Sequence, residues 1–198
     1  MTIPATSRDS RSAVAGVVLL NKPFGVLCQF SDSGARSTLR DFIAAPDVYP
    51  AGRLDADSEG LVVLTGDGKL QHAISDPKMK LAKSYWVQVE GEPDEAALQR
   101  LRSGIDLGDF VALPAGARRI EQPSGLWERH PPIRVRKSIP TSWIELELHE
   151  GKNRQIRRMT AAAGYPTLRL IRSRIGPWTL DGILPGQFRL IDQPQLRS

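Results

Sequence analysis

The segment GRLDADSEGLVVLT, residues 52–65, places three carboxylates at alternate positions and then continues as an apolar run. The acids are Asp55, Asp57 and Glu59, and Arg53 stands two residues before the first of them. A nearby positive charge favours the ionised form of a carboxylate, and an ionised carboxylate can attack an electron-poor carbon. A carboxylate nucleophile is therefore one chemistry that this segment could perform.

The same acids have three other interpretations. The simplest is a solvated turn, because aspartate and serine favour turns and carboxylates are readily hydrated. Asp55 and Asp57 could instead bind Mg²⁺, which prefers oxygen ligands, although the sequence offers no third well-placed acid. A glycosidase needs two carboxyl groups that face each other across a bond, and acids within one loop rarely span that geometry.

A second segment, GKNRQIRRMTAAAGYP, residues 151–166, predicts a helix that carries arginines on one side. Asn153 is its candidate N-cap, and a glycine and a proline mark its end. Arg154, Arg157 and Arg158 are three and four residues apart and therefore share one side of the helix. Alone, this pattern fits a solvated helix face, but together with the basic loop at residues 129–137 it favours phosphate binding.

Strands and helices must position these groups. Apolar or alternating runs predict strands within residues 16–30, 61–65, 83–91, 142–150 and 167–191, the first of these as two strands joined by a turn. Helix signals occur at residues 37–46, 69–77, 92–104 and 151–164. Residues 105–140 mix short strands with a long loop, and loops of that length usually have a function.

Size and composition predict one globular domain over residues 14–198, with two lobes sharing one sheet, preceded by a polar and mobile tail at residues 1–13. Hydrophobic residues make up 40% and charged residues 25% of the 198 residues, which is ordinary for a globular protein. The single cysteine, Cys28, excludes an internal disulfide and is expected to be a small buried hydrophobe. No apolar run approaches a membrane span, so we expect a cytoplasmic protein with no membrane contact. The net charge of +5 permits an anionic partner.

The acidic segment resembles the second motif of the RNA pseudouridine synthases, in which the aspartate of G-R-L-D is the catalytic residue. Three further segments resemble motifs of the same family, in the same order along the chain: VVLLNKPFGVLCQF at residues 17–30, LAKSYWVQVEG at 81–91 and EGKNRQIRRMTAAAGYPTLRLIRSRIGP at 150–177. The resemblance runs from Val17 to the C-terminus.

The resemblance assigns roles to individual residues. It implies that Asp55 is the nucleophile and that Arg157 supplies its pairing charge. Tyr85 would pack on one face of a flipped base and Leu170 on the other, while Arg53 would displace the target base or hold phosphate. Further contacts to the RNA are expected from residues of the same motifs: Lys83, Lys152, Asn153, Arg154 and Arg158. On this interpretation Asp57 and Glu59 are turn and loop residues.

The resemblance also implies a fold and a substrate. Members of the family have an α+β fold, with a central, mostly antiparallel mixed sheet, flanking helices and an active-site cleft. The form GKNRQIRRM, residues 151–159, resembles the branch of the small-subunit synthases, most of which carry an N-terminal S4-type RNA-binding domain. The tail at residues 1–13 is too short for that domain. Its length, together with the resemblance of residues 131–146, favours a large-subunit enzyme.

The expected reaction is isomerisation of one uridine near the peptidyl-transferase centre of 23S ribosomal RNA to pseudouridine, by a monomer that uses no metal and no cofactor. Attack of Asp55 on the ribose and attack on the base ring both remain open. A non-catalytic RNA-binding factor for ribosome assembly is the alternative function.

Overall fold

The computed structural model describes residues 16–31, 34–44, 47–76, 79, 81–133 and 138–192. The predicted mobile tail, residues 1–13, lies outside the described residues. So do three members of the basic loop, Arg134, Arg136 and Lys137.

The described residues form nine strands and three α-helices. The strands are β1 (Gly16–Lys22), β2 (Tyr49–Pro50), β3 (Glu59–Thr65), β4 (Lys83–Glu90), β5 (Gly116–Ile120), β6 (Thr141–Leu148), β7 (Thr167–Ile175), β8 (Trp178–Thr179) and β9 (Phe188–Asp192). The helices are α1 (Gly68–Ser75), α2 (Glu95–Ser103) and α3 (Gln155–Ala162), with a short 3-10 helix at Leu39–Asp41. None of the three described helices has the length and apolar character needed to cross a membrane.

All nine strands belong to one sheet, which runs β5-β6-β4-β7-β3-β1-β9, with β2 added to β3 and β8 to β7. Every pairing is antiparallel except that of β3 with β7. The predicted α+β fold with a mostly antiparallel mixed sheet is therefore confirmed.

The apolar strand after the acidic loop is buried on both faces, as its lack of alternation predicts. Every residue of β3 is buried. Leu61 and Val63 pack into one apolar cluster, with α1 and β7, while Val62 and Leu64 pack into another on the opposite face. A third cluster joins β4 and β6 to α2 and α3, so apolar packing holds both faces of the sheet.

The predicted second strand of the first hairpin is wrong. After the turn at Pro23, residues 26–30 form only an isolated bridge between Leu27 and Thr38. Both edges of β1 are already taken, by β3 and by β9. The chain instead crosses to the acidic loop, where the Gly25 N–H donates to the Ala56 carbonyl at 2.7 Å.

The parallel contact of β3 with β7 is short and close, and we call it the β3–β7 seam. It pairs Glu59 with Ile171 and Gly60 with Arg172. Gly60 has φ +105°, and a Cβ there would lie 2.4 Å from the Arg172 carbonyl oxygen. Only glycine fits such a conformation and such a distance, so this position fixes how closely the acidic loop approaches β7.

Glu59 differs from its predicted role as a loop residue, because it is the first residue of β3 and its side chain is only 2% exposed. Both of its carboxylate oxygens accept from the Arg169 guanidinium, each at 2.8 Å. The Trp127 indole N–H also donates to it at 2.8 Å. The strand needs this acid inside because a buried arginine on the neighbouring strand requires a bidentate partner.

Glu59→Gln should lower the free energy of unfolding by about 3–5 kcal/mol, because it leaves the buried Arg169 charge without a full counter-charge. Urea denaturation measures the change. The matched control is Glu147→Gln, which breaks the exposed pair with Arg174 and should cost less than about 1 kcal/mol. Equal losses of unfolding free energy in the two variants would contradict a stabilising role for the Glu59–Arg169 pair.

Lys22 gives a second test, because its side chain is fully buried and burial, followed by the charge of Arg172, lowers its pKa from 10.5 to about 8. The unfolded chain therefore holds the proton more tightly between these two pH values, so Lys22 makes the fold more stable as pH rises from about 8 to 10.5. Relative to Lys22→Met, the wild type should gain up to about 3 kcal/mol over that window.

Chemical denaturation of both proteins across the pH range measures this difference, in which the titration of other groups cancels. Lys69→Met, at an exposed position of α1, serves as the control and should give a difference that does not vary with pH. A flat difference for Lys22→Met would show that this lysine titrates alike in the folded and unfolded chains.

Candidate active site

A cleft of about 560 Å³ lies beside the acidic loop. Its walls come from residues 27–29, the acidic loop, the start of β4, the turn before α3, and β7. The predicted site residues that line it are Arg53, Asp55, Lys83, Tyr85, Lys152, Asn153, Arg154 and Leu170. The other two, Arg157 and Arg158, do not line the cleft.

Asp55 is the acid of the loop that faces the cleft. Its side chain is 45% exposed, and its nearest cationic group is the Arg154 guanidinium, with Nη1 3.9 Å from Oδ2. The Ser58 N–H donates to the Asp55 carbonyl at 3.1 Å, which closes the turn around this residue. The carboxylate thus lies at the cleft and accepts no hydrogen bond from the side chains that the structure describes, a suitable position for a nucleophile.

Arg157 pairs with Asp57 rather than with Asp55, contrary to the prediction. Its Nε lies 3.4 Å from the Asp57 carboxylate, and its Nη2 donates to the Asp57 carbonyl at 2.6 Å. The carbonyl and the carboxylate of Asp57 both lie within reach of the Arg157 guanidinium, so the two contacts hold this side chain on Asp57. Arg154 also donates to this carboxylate, at 2.9 Å.

The pKa of Asp57 reflects this pairing. Burial raises the pKa, but the hydrogen bond from Arg154 and the charges of Arg157 and Arg154 outweigh burial and lower it below the ordinary 3.8. Asp57 is therefore an ionised anchor that ties the acidic loop to α3. Its carbonyl accepts from Arg157, and its carboxylate pairs with Arg154 and Arg157. Asp57 does not line the cleft.

The N-cap of α3 is Arg154, and the predicted cap, Asn153, lies one residue too early. Arg154 has φ 49° and ψ 29°, a left-handed conformation that is unfavourable for a residue other than glycine. The turn is held by Gln155, whose side chain accepts from the Lys152 N–H at 3.0 Å and whose N–H donates to the Lys152 carbonyl at 3.2 Å. This turn directs the Arg154 guanidinium towards the acidic loop.

Arg158 and Lys152 contact a different loop, at residues 105–111. Arg158 forms an ion pair with Asp109 and donates to the Leu107 carbonyl at 2.8 Å. The Lys152 amine lies 3.7 Å from the centre of the Phe110 ring. The helix face that the sequence predicts to bind phosphate is thus partly occupied by contacts within the protein.

Tyr85 and Leu170 form an apolar wall of the cleft. In the pairing of β4 with β7, Tyr85 lies opposite Arg172 and Val87 opposite Leu170, and residues two apart on a strand share a face. Tyr85 and Leu170 are 8% and 7% exposed. Their surfaces are suited to a flat aromatic ligand.

Sequence reasoning missed Arg172 as a site residue, although it is buried and lines the cleft. In the sequence, Arg172 is only one of several arginines near the C-terminal end of the chain. The available signal was its position two residues after Leu170, which places both on one face of β7. Glu150, also in the cleft wall, was missed too; it accepts from Gln155 and from the Leu113 N–H.

Comparisons with known proteins identify the family of the chain. The sequence profile of the family described as RNA pseudouridylate synthase matches residues 16–162. The "Ribosomal large subunit pseudouridine synthase E" of Xanthomonas campestris pv. campestris is 54% identical over 183 residues, 91% of this chain and 98% of the relative. The protein of the same name from Vibrio vulnificus is 52% identical, over 90% of this chain and 76% of its own length.

A more distant relative and a solved structure extend the match. The "Ribosomal small subunit pseudouridine synthase A" of Vibrio cholerae is 33% identical over 91% of this chain and 72% of its own length. A crystal structure of a pseudouridylate synthase superposes with a TM-score of 0.71 at 29% identity, covering 89% of this chain and 70% of that one. The chain therefore belongs to the RNA pseudouridylate synthase family, the isomerases that convert uridine in RNA to pseudouridine.

Proposed function

We propose that the protein isomerises one uridine of 23S ribosomal RNA, near the peptidyl-transferase centre, with Asp55 as the nucleophile. The assignment of Asp55 as the nucleophile rests on one observation: of Asp55, Asp57 and Glu59, only Asp55 lines the cleft. The large-subunit substrate rests on the relatives that are 52–57% identical and named for it. Because ribosomal RNA is the substrate, we place the activity in the cytoplasm. We propose that a monomer performs it, since one chain supplies the cleft and its candidate nucleophile.

The target base must leave the RNA helix before it can enter the cleft and reach the Asp55 carboxylate. We propose that the flipped uracil lies against Tyr85 and Leu170, which line the cleft on one face of the sheet. Stacking of a base on an aromatic side chain contributes about 1–3 kcal/mol. This contact offsets part of the free energy of unpairing the base.

The charges around the cleft suit a polyanion. Its lining residues include five cationic side chains and two acids. The exposed cations, Arg53, Lys152 and Arg154, would contact phosphates, because most protein–nucleic acid hydrogen bonds go to the backbone. Asp55 would then attack either C1′ of the ribose or C6 of the base, in a cleft from which the RNA excludes water.

Asp55→Asn should abolish pseudouridine formation and leave RNA binding nearly unchanged, because the reacting charge is lost while the phosphate contacts remain. Carbodiimide-based primer extension on large-subunit RNA from cells that lack the protein locates the missing pseudouridine. Complementation with wild type, Asp55→Asn or the control Asp181→Asn, an exposed position outside the cleft, then tests the residue. A full modification level with Asp55→Asn would exclude the proposed nucleophile.

The same experiment separates the enzyme from a non-catalytic assembly factor. An assembly factor predicts no change in the pseudouridine pattern when the protein is removed, and a ribosome defect that Asp55→Asn repairs. The enzyme predicts one missing pseudouridine, restored by wild type and by Asp181→Asn only.

Activity should also survive a chelator, because the proposed chemistry uses a carboxylate and cationic side chains alone. The measurement is pseudouridine formed in a short RNA that monovalent salt keeps folded, with and without EDTA. Loss of activity in EDTA that Mg²⁺ restores would instead support the metal interpretation of the acidic loop.

A further inference from the structure

Three buried cations lie in the cleft wall or next to it, and we call Lys22, Lys83 and Arg172 the floor cations. Arg172 and Lys83 line the cleft and are 2% and 9% exposed, and Lys22 is fully buried. They lie close enough for the charge of Arg172 to lower the pKa of Lys83, after the larger effect of burial. Within the described part of the chain, none of the three forms an ion pair with a carboxylate.

Arg172 is the floor cation with an unused donor. Its Nε donates to the Leu61 carbonyl at 2.7 Å and its Nη1 to the Arg53 carbonyl at 3.3 Å. Its Nη2 is buried and has no hydrogen-bond partner among the described residues. Because an arginine carries five N–H donors and cannot lose its charge, this Nη2 is a buried donor that is available to an acceptor on a bound ligand.

The position of Arg172 indicates which kind of acceptor it would meet. It is opposite Tyr85 and two residues from Leu170, at the part of the cleft assigned to the base. The exposed cations at the mouth, Arg53 and Arg154, are better placed for phosphates, which stay with the RNA backbone. The acceptor near Arg172 should therefore be an oxygen of the uracil itself.

Uracil gains negative charge on either route that Asp55 can take. If the carboxylate bonds to C1′, the C1′–N1 bond breaks and its electron pair leaves with the base, where it is shared with O2 and O4. If the carboxylate bonds to C6, the electron pair of the C5–C6 bond moves towards O4. On this second route the C1′–N1 bond then breaks as well. In both cases C5 finally bonds to C1′, the bond between the Asp55 carboxylate and C1′ or C6 breaks, C5 loses its proton and N1 takes up a proton, so the product is an isomer of the substrate and the carboxylate is regenerated.

We propose that Arg172 is a further catalytic residue, which stabilises the negative charge that develops on the oxygens of the uracil as the base is released or attacked. This inference rests on the proposed function of the cleft. Preorganised donors aimed at developing charge act strongly in a site without water, because they need no reorganisation during the reaction. Lys83 adds positive charge beside it, and the contacts of Arg172 with the Arg53 and Leu61 carbonyls keep its guanidinium in place.

The test compares uridine with 5-fluorouridine at the modified position of a synthetic RNA. Fluorine withdraws electrons from the ring, so the fluorinated base carries negative charge more readily and needs less stabilisation. The rate constant is measured in single turnover, as loss of the original nucleoside from nuclease digests by mass spectrometry. This measurement covers the steps before the proton leaves C5, because the fluorinated C5 has no proton to lose. The dissociation constant of each RNA is measured in parallel.

Arg172→Gln should slow the reaction of uridine by about 100-fold, as for loss of a donor to a developing oxyanion, and that of 5-fluorouridine by less than about 10-fold. Arg172→Lys, which keeps the charge but not the fork of donors, should show a smaller loss with the same preference for the fluorinated base. RNA affinity should change by less than about threefold in both. The matched control is Arg174→Gln, two residues along β7 and exposed on Glu147, which should react at the wild-type rate with both bases.

Equal losses with the two bases, or a loss of RNA affinity that accounts for the lower rate, would overturn this role. If Arg172→Gln fails to fold, Arg172→Lys provides the test. Equal slowing of the uridine and 5-fluorouridine reactions in the lysine variant would also overturn the proposed role of Arg172. Asp55→Asn is carried through the same assay. If Asp55→Asn reacts at the wild-type rate while Arg172→Gln shows the expected difference between the two bases, the assignment of Asp55 as the nucleophile is wrong and the proposed role of Arg172 stands.

Discussion

The β3–β7 seam is the constraint on which the site depends. The two strands meet over only two residue pairs, Glu59 with Ile171 and Gly60 with Arg172, yet this is the one parallel contact among the described strands. Glycine at position 60 lets the backbones approach, and that approach brings the Leu61 carbonyl within reach of the Arg172 guanidinium. The same guanidinium binds the Arg53 carbonyl, so the strand that carries Leu170 also holds the loop that carries Asp55.

Much of this arrangement could be predicted from the sequence because it follows from local patterns. The continuous apolar run of β3 indicated burial on both faces, and the alternation in β4 placed Tyr85 with Val87 on one side. The motif G-R-L-D distinguished Asp55 from its neighbours through resemblance, which spacing alone could not do. The fold, the family and eight residues of the cleft wall were accessible in this way.

The remaining features depend on contacts between distant segments, which no local pattern specifies. Arg157 lies on Asp57 because a loop carbonyl from a segment 100 residues away is within its reach. Arg154, and not Asn153, caps α3 because the Gln155 side chain closes the preceding turn, and a left-handed arginine is not predictable from propensity. The sequence predicted Glu59 to be a loop residue because its partner, Arg169, lies on a strand 110 residues later and is not visible in the local pattern.

The position of Arg172 in the cleft explains why the fold retains a buried cation without a carboxylate partner among the described residues. Asp55 is exposed, whereas Arg172 and Lys83 are buried in the same cleft wall as Tyr85 and Leu170. If a carboxylate neutralised Arg172, the fold would be more stable, but Arg172 would no longer attract the electrons of a base lying against that wall. Departures from local stability of this kind are expected at functional sites, and the Glu59–Arg169 pair next to the seam shows that the same fold supplies a counter-charge where stability alone is required.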